Sequence, residues 1–168
     1  MAQNSVIVYY SWVGNTETAA KEIQSLTGFD IQKIEEKKAR KFGTMMSAAM
    51  GAVFGFKSGI KPMDFTLNGY DNVFLGVQVW AGKTTPAVNS YLAKASFKDK
   101  KVWMFITMAD DKTPQKFIDT ITAKIEKKGG KVMDAMAVTT KWDPKENVVV
   151  SADDLKSAVK NWIENIKI

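Results

Sequence analysis

The sequence predicts an α/β fold built on a parallel sheet, and three features carry that expectation. Short apolar, β-branched runs alternate with amphipathic stretches along the chain; hydroxyl and proline signals open several of those stretches; glycines close two of them. There is no internal repeat, low-complexity tract or linker, so residues 1–168 are expected to form one domain. A chain of this size hides roughly two-thirds of its unfolded surface, enough for a real core.

The elements follow in order. Ser5-Val6-Ile7-Val8-Tyr9-Tyr10 is a continuous apolar and aromatic run, the pattern of a strand buried on both faces. A helix follows a polar turn, with Ala19, Ala20, Ile23 and Leu26 on one face and Gly28 as its C-terminal stop. Phe29 to Ile34 alternates as a second strand. Val73 to Val77 makes a third, leading to a helix that starts at Thr85-Pro86 with a hydroxyl cap and proline in the first turn. Lys101 to Thr107 makes a fourth, leading to a helix that starts at Thr113-Pro114, buries Phe117, Ile118, Ile121 and Ile125, and stops at Gly129-Gly130. Lys131 to Thr139 is the fifth strand. The last helix opens with Ser151-Ala152-Asp153-Asp154, an acidic form of the capping box, and turns Leu155, Val159, Trp162, Ile163 and Ile166 inward.

Composition narrows the chemistry. The chain has no cysteine and no histidine, which excludes thiol redox chemistry, structural zinc, a catalytic triad and the usual imidazole acid or base. Redox work would need a borrowed cofactor. Met1 to Ser5 lacks a leader pattern, and no apolar run approaches the about 18 residues of a membrane span, so a cytoplasmic protein is expected.

In an open parallel sheet ligands sit beyond the carboxyl ends of the strands, where strand order reverses. The loop after the first strand, Ser11-Trp12-Val13-Gly14-Asn15-Thr16, opens directly into a helix. Backbone amides and hydroxyls at such a position form an anion site, and Gly14 permits close approach of the backbone. No lysine or arginine lies in this loop, so a phosphate would be held by neutral donors; the same residues also suit a plain strand-to-helix turn. After the third strand comes Gln78-Val79-Trp80-Ala81-Gly82, where a tryptophan among small residues either offers its face to a planar ring or packs on the sheet edge. Gly76 and Gly82-Lys83-Thr84 imitate a nucleoside-triphosphate loop, but five residues separate the glycines where that motif has four, and Gly76 lies within a strand. A phosphorylation receiver on a related fold is disfavoured in turn, because Tyr9-Tyr10-Ser11 ends the first strand without a carboxylate.

Taken together, Ser11 to Thr16 and the run Tyr70-Asp71-Asn72-Val73-Phe74-Leu75-Gly76 followed by Val79-Trp80-Ala81-Gly82 resemble the phosphate loop, third strand and flavin-stacking loop of the flavodoxin family, in its anaerobic bacterial and archaeal members. The likeness spans nearly the whole chain in order and length. It implies a flavodoxin-like five-stranded parallel sheet of order 2-1-3-4-5 with helices on both faces, and one non-covalent FMN. By the same resemblance Ser11, Trp12, Val13, Gly14, Asn15 and Thr16 take the ribityl phosphate. Gln78, Val79, Trp80, Ala81 and Gly82 lie along the isoalloxazine with Trp80 stacked on it, and Met108, Ala109, Asp110 and Asp111 border its other side. The chain departs from the family at Val13, where threonine or serine is usual, and in the fourth-strand loop, which lacks the usual glycines and aromatic residue. FMN rather than FAD is expected, because the phosphate loop is short and no second nucleotide motif follows.

Between the second and third strands lies an insert, at about residues 37–66, that is too long for a crossover helix alone. Residues 44–56 are methionine-rich and glycine-interrupted, with Arg40 and Lys41 on one side and Lys57 and Lys61 on the other. The chain's net charge of +6 is concentrated there: Lys33, Lys37, Lys38, Arg40, Lys41, Lys57 and Lys61 face only Glu35 and Glu36 within residues 33–61. The segment suits either a helix packed on the sheet with solvated charges or an apolar surface with a basic rim, fitted to an acidic partner or an anionic membrane.

The functional expectation is therefore a flavodoxin-type electron carrier, without a catalytic residue or metal site, meeting acidic, ferredoxin-like redox proteins through residues 33–61 and not nucleic acid. An FMN-dependent NAD(P)H:quinone oxidoreductase is the alternative, although no nicotinamide motif is present. A flavin-free binding module of the same fold is a further one.

Overall fold

The computed structural model describes residues 4–38, 40, 50–109, 115–140, 152–166 and 168. Alternation within the first strand, β1 (Ser5–Tyr9), governs the layers. Val6 and Val8 join one buried cluster, Ile7 and Tyr9 the other, so both faces of the strand need a cover.

β1 pairs in parallel with β2 (Asp30–Lys33) on one side and with β3 (Asn72–Trp80) on the other. β3 continues in parallel to β5 (Lys101–Met108), and β5 to the edge strand β6 (Lys131–Thr139). A two-residue strand, β4 (Lys83–Thr84), folds back antiparallel on β3. The order β2-β1-β3-β5-β6 is the expected 2-1-3-4-5 once β4 is set aside.

Helix α1 (Asn15–Thr27) supplies Ala19, Ala20 and Ile23 to one face of the sheet, and α4 (Ala152–Asn165) adds Leu155 and Val159. They close over Ile7, Phe74, Trp103 and Phe105, with the Phe74 and Trp103 rings stacked at 5.3 Å. The opposite face is covered by α2 (Pro86–Lys94) and α3 (Gln115–Glu126), through Val88, Tyr91, Phe117, Ile121 and Ile125.

The expected stops and starts are present where the residues are described. Gly28 closes α1 at φ 72°, its N–H donating to the Gln24 carbonyl, and Thr85 caps α2 by accepting from the Val88 N–H. The Thr113-Pro114 start and Ser151 lie outside the described residues. Two face assignments need correction. Leu26 is 42% exposed, because a step of three residues turns it about 60° from the Ile23 direction. Ile118 is only partly buried against the core.

The insert closes its own neck. Glu36 bridges Ile60 in antiparallel fashion, Lys37 N–H donates to Gly59 O at 2.8 Å, and Lys61 N–H donates to Glu35 O at 2.8 Å. Beyond the neck Ile60 and Leu67 return to the core. Within the excursion residues 50–53 are helical; Ala52 is buried, whereas Met50, Val53, Phe54 and Phe56 face solvent. Residues 44–49 and Lys41 lie outside the described residues.

Gly76, at the centre of β3, is where sheet and core press closest. A Cβ there would lie 2.8 Å from the Tyr9 Cβ and would overlap the Phe105 ring. Gly76→Ala is expected to cost about 1–3 kcal/mol of stability, the range for overpacking a core, read as a lower urea midpoint at unchanged slope. An unchanged midpoint would mean that Phe105 swings aside freely.

Candidate functional site at the carboxyl ends of the strands

The turn from β1 into α1 leaves backbone donors uncommitted. The N-cap is Gly14, at φ 103°, and it provides no side-chain cap. Within the turn, Gly14 N–H donates to Ser11 Oγ at 3.2 Å and Trp12 N–H donates to the Gln78 side-chain oxygen at 3.1 Å. The amides of Val13, Asn15, Thr16 and Glu17 have no hydrogen-bond partner among the described residues. They stand at the positive end of the helix dipole, an arrangement that attracts an anion. Asn15 is buried to 2% exposure, yet its Oδ1 has no partner among the described residues.

The segment after Val77, expected as a loop, is instead strand and hairpin. β3 runs on through Gln78, Val79 and Trp80, and Val79 pairs with Thr84 and Trp80 with Lys83. The two residues between, Ala81 at φ 47° and Gly82 at φ 72°, are both left-handed, as a type I′ hairpin turn demands. This turn fixes Trp80 at the mouth of the site.

Trp80 is gripped from several sides. Its ring meets the edge of Trp12 at 5.4 Å and of Tyr10 at 6.3 Å between centroids. The Arg40 guanidinium carbon lies 5.4 Å from the ring centre. Arg40 is itself held by Glu36 through Nε at 2.8 Å and Nη2 at 2.9 Å, and the Tyr10 hydroxyl donates to the same carboxylate at 2.9 Å. Burial, followed by the adjacent Glu36 charge, raises the Tyr10 phenol far above its ordinary pKa, so it remains a donor throughout the working pH range. The sequence suggested a steering role for Arg40; the fold places it against the tryptophan.

These loops enclose a cavity of about 310 Å³. Trp12, Val13 and Asn15 line it from the first loop, Gln78, Val79, Trp80 and Ala81 from the hairpin, and Met108 and Ala109 from the end of β5. Nine of the sequence-nominated residues are thus brought together. Ser11, Gly14, Thr16 and Gly82 do not line it. Ser11 and Gly14 shape the turn, and the fully buried Thr16 hydroxyl shares a 2.8 Å hydrogen bond with Thr107, tying α1 to β5. Asp110 and Asp111 lie outside the described residues. Thr107 and Thr140 line the cavity without having been anticipated, although both stand at carboxyl ends of strands, where the placement rule points. Thr140 is fixed there by its N–H, which donates to Met108 O at 2.6 Å. No group of three or more metal-ligating side chains is present among the described residues, and no described helix is long and apolar enough to cross a membrane.

No protein-family model matches the chain, and no curated protein matches it by sequence. Solved structures do. A candidate flavoprotein of Bacteroides uniformis superposes with a TM-score of 0.72 at 15% identity, covering 97% of this chain and 99% of its own. A flavoprotein of Lactobacillus acidophilus, solved in complex with FMN, gives 0.64 at 22% identity over 80% and 93% of the two chains. Flavodoxin 1 of Bacillus cereus gives 0.55 at 17% identity over 97% and 99%. The fold is flavodoxin-like. At these identities the likeness is one of architecture, and the flavodoxin-like strand order places its reversal between β1 and β3, at the mouth of the cavity.

The turn that presents Trp80 carries a cost. A left-handed alanine is disfavoured by roughly 1–2 kcal/mol, against the roughly 0.5–1 kcal/mol of extra chain entropy that glycine loses on folding. Ala81→Gly is therefore expected to stabilise the fold by about 0.5–1 kcal/mol, and Ala81→Val to destabilise it by about 1 kcal/mol or more, in thermal unfolding. The reverse order would show that the turn relaxes out of the left-handed region.

Proposed function

We propose that this chain is a flavodoxin-type electron carrier that binds one FMN non-covalently in the cavity at the carboxyl ends of β1, β3 and β5. The observation that carries this reading is the pairing of two unlike features across one small space. At one end are unpaired amides on an uncapped helix start beside the buried, unpartnered Asn15 oxygen; at the other is an apolar slot walled by Val79, Trp80 and Met108. A planar ring joined to a phosphate by a hydroxylated chain fits that sequence of surfaces.

In this reading the amides of Val13, Asn15 and Thr16 hold the phosphate, and the Asn15 side chain takes a hydroxyl of the linking chain. Val79, Trp80 and Ala81 lie along one side of the ring, and Met108 and Ala109 border the other. The flavin, when bound, supplies the electron chemistry. The chain's residues bind and orient it, exclude water through the apolar lining, and present no histidine or cysteine to compete. The clamp of Tyr10, Glu36 and Arg40 fixes Trp80 before any ligand arrives, which reduces the ordering cost of binding. An FMN-dependent NAD(P)H:quinone oxidoreductase on the same fold would instead turn over NAD(P)H with a quinone. We further propose acidic redox proteins as its partners, in the cytoplasm, and a single domain over residues 1–168.

Loading the chain with flavin, extracting it and weighing it is expected to return FMN, one per chain. FAD, or no flavin after reconstitution, would overturn the proposal. Trp80→Ala is expected to weaken FMN binding by about 1–2 kcal/mol, with flavin quenching of tryptophan fluorescence reduced to match. Unchanged affinity would leave Trp80 with only its structural contacts to Tyr10, Trp12 and Arg40. Sustained NADPH oxidation with a quinone would move the assignment to the reductase.

A further inference from the structure

On the other side of the β3–β4 turn from the cavity lies a rigid aromatic patch with a cationic rim. Ala81 lines the flavin-sized cavity, while the next two residues, Gly82 and Lys83, line a second depression of about 230 Å³ shared with Phe54, Asn89 and Lys124. Phe54 is 63% exposed and Phe56 62%, their rings stacked at 5.7 Å and 26°.

The backbone holds this pair out in water. Phe56 N–H donates to Gly51 O at 2.9 Å and Gly55 N–H donates to Ala52 O at 3.0 Å, with Gly55 at φ 67°. That is the Schellman ending of a helix, in which glycine takes the left-handed position. The buried Asn89 then donates to Phe56 O at 3.3 Å, and Ser58 N–H donates to Pro86 O at 3.2 Å, fastening the segment to α2. Exposed aromatic pairs fixed by the backbone are the usual anchors of a protein interface.

Among the described residues, the charged side chains lining the depression, Lys83 and Lys124, are of one sign. Lys57, Lys83 and Lys124 have no carboxylate partner among the described residues, and Lys124 Nζ reaches only Asn89 Oδ1, at 3.3 Å. Burial, with the neighbouring charges of Lys83 and Lys57, lowers the Lys124 pKa. Three of the cations expected to steer partners from residues 33–61 are already paired: Lys33 with Glu17, Arg40 with Glu36 and Lys61 with Glu35.

We propose that Phe54 and Phe56, with Lys57, Lys83 and Lys124, form the docking surface for an acidic electron-carrying protein. A partner's apolar side chain packs on the phenylalanine pair, and one of its carboxylates enters the depression between Lys83 and Lys124. The proposal rests on the electron-carrier reading, because docking here sets the partner one turn of backbone from the cavity. A protein fits better than an anionic membrane. Lys83 and Lys124 line a concavity, which accepts a protruding side chain and not a flat lipid surface.

The test uses Lys57→Glu/Lys83→Glu and Phe54→Ser/Phe56→Ser double variants of the full chain, with a [2Fe–2S] ferredoxin of net negative charge as probe. Ferredoxin binding is measured by calorimetry with and without FMN. Flavin reduction by reduced ferredoxin, and by dithionite, is followed across a salt series. Each pair of substitutions is expected to weaken ferredoxin binding about tenfold or more, and the charge reversal to flatten the salt dependence, with FMN affinity and dithionite reduction unchanged. Wild-type affinity in both variants, or no ferredoxin binding to the unaltered chain, overturns the proposal. So does binding to phosphatidylglycerol vesicles that the phenylalanine variant abolishes while ferredoxin binding is untouched. If the chain takes up no flavin, the electron-carrier reading fails, and the calorimetry still decides the surface by itself.

Discussion

Burial of the central strands on both faces is the constraint from which the rest of the molecule follows. Val6 and Val8 face one cluster while Ile7 and Tyr9 face the other, so neither side of β1 can be left to water. Parallel neighbours must then be joined by crossovers that cover the sheet, and β1, with β2 on one side and β3 on the other, becomes the point where winding reverses. Helices leaving opposite faces at that point diverge and open a crevice at the carboxyl ends. The cavity is thus a consequence of core packing before any binding residue is considered. The Thr16–Thr107 hydrogen bond, buried beneath it, holds the first turn of α1 to the end of β5 and sets the floor.

What the sequence made legible follows from the same constraint. Periodicity reports burial, so the buried strands and the α1 and α2 faces could be read, and the topological rule together with the flavodoxin resemblance then located nine residues of the cavity. Periodicity does not report pairing over distance. Val79-Trp80 followed by Gly82 suits a loop as well as a strand, and the partner that decides, β4, is only two residues long. Likewise nothing local in the chain tells Arg40 to reach Trp80, since the link runs through Glu36 and Tyr10, the latter 26 residues away. Phe54 and Phe56 show the complementary blindness. An apolar side chain that awaits a partner looks in sequence like one that already has its core.

Local strain and local polarity converge on the hairpin. The only left-handed residues of the turn, Ala81 and Gly82, stand where an alanine is disfavoured, and the turn is retained with Trp80 beside it. Two aromatic rings, Tyr10 and Trp12, and a guanidinium hold the tryptophan in place, with the Glu36 carboxylate behind them. A clamp of this kind costs little where Glu36 and Arg40 are largely shielded from solvent, at 7% and 20% side-chain exposure, because each charge is met by directed hydrogen bonds. The insert therefore contributes to the site through its neck, independently of what the remainder does.

Net charge is consequently a poor guide to where this protein meets a charged partner. The basicity of residues 33–61 is real in sequence, but much of it is consumed internally: Arg40 by the clamp, Lys61 at the neck beside Glu35, and Lys33 by Glu17 of α1. Those carboxylates are held below the ordinary range by their lysines at Glu17 and Glu35, so the pairs stay ionised at neutral pH and largely cancel at a distance. With a screening length of about 8 Å at physiological salt, only cations lacking such a neighbour project a field that an approaching molecule can feel. Lys37, Lys38 and Lys57 meet that condition among the described residues of the segment, and Lys83 and Lys124 meet it from β4 and α3. Around the Phe54–Phe56 pair, cations from three separate elements come together, a juxtaposition created by the fold and absent from any single stretch of the chain.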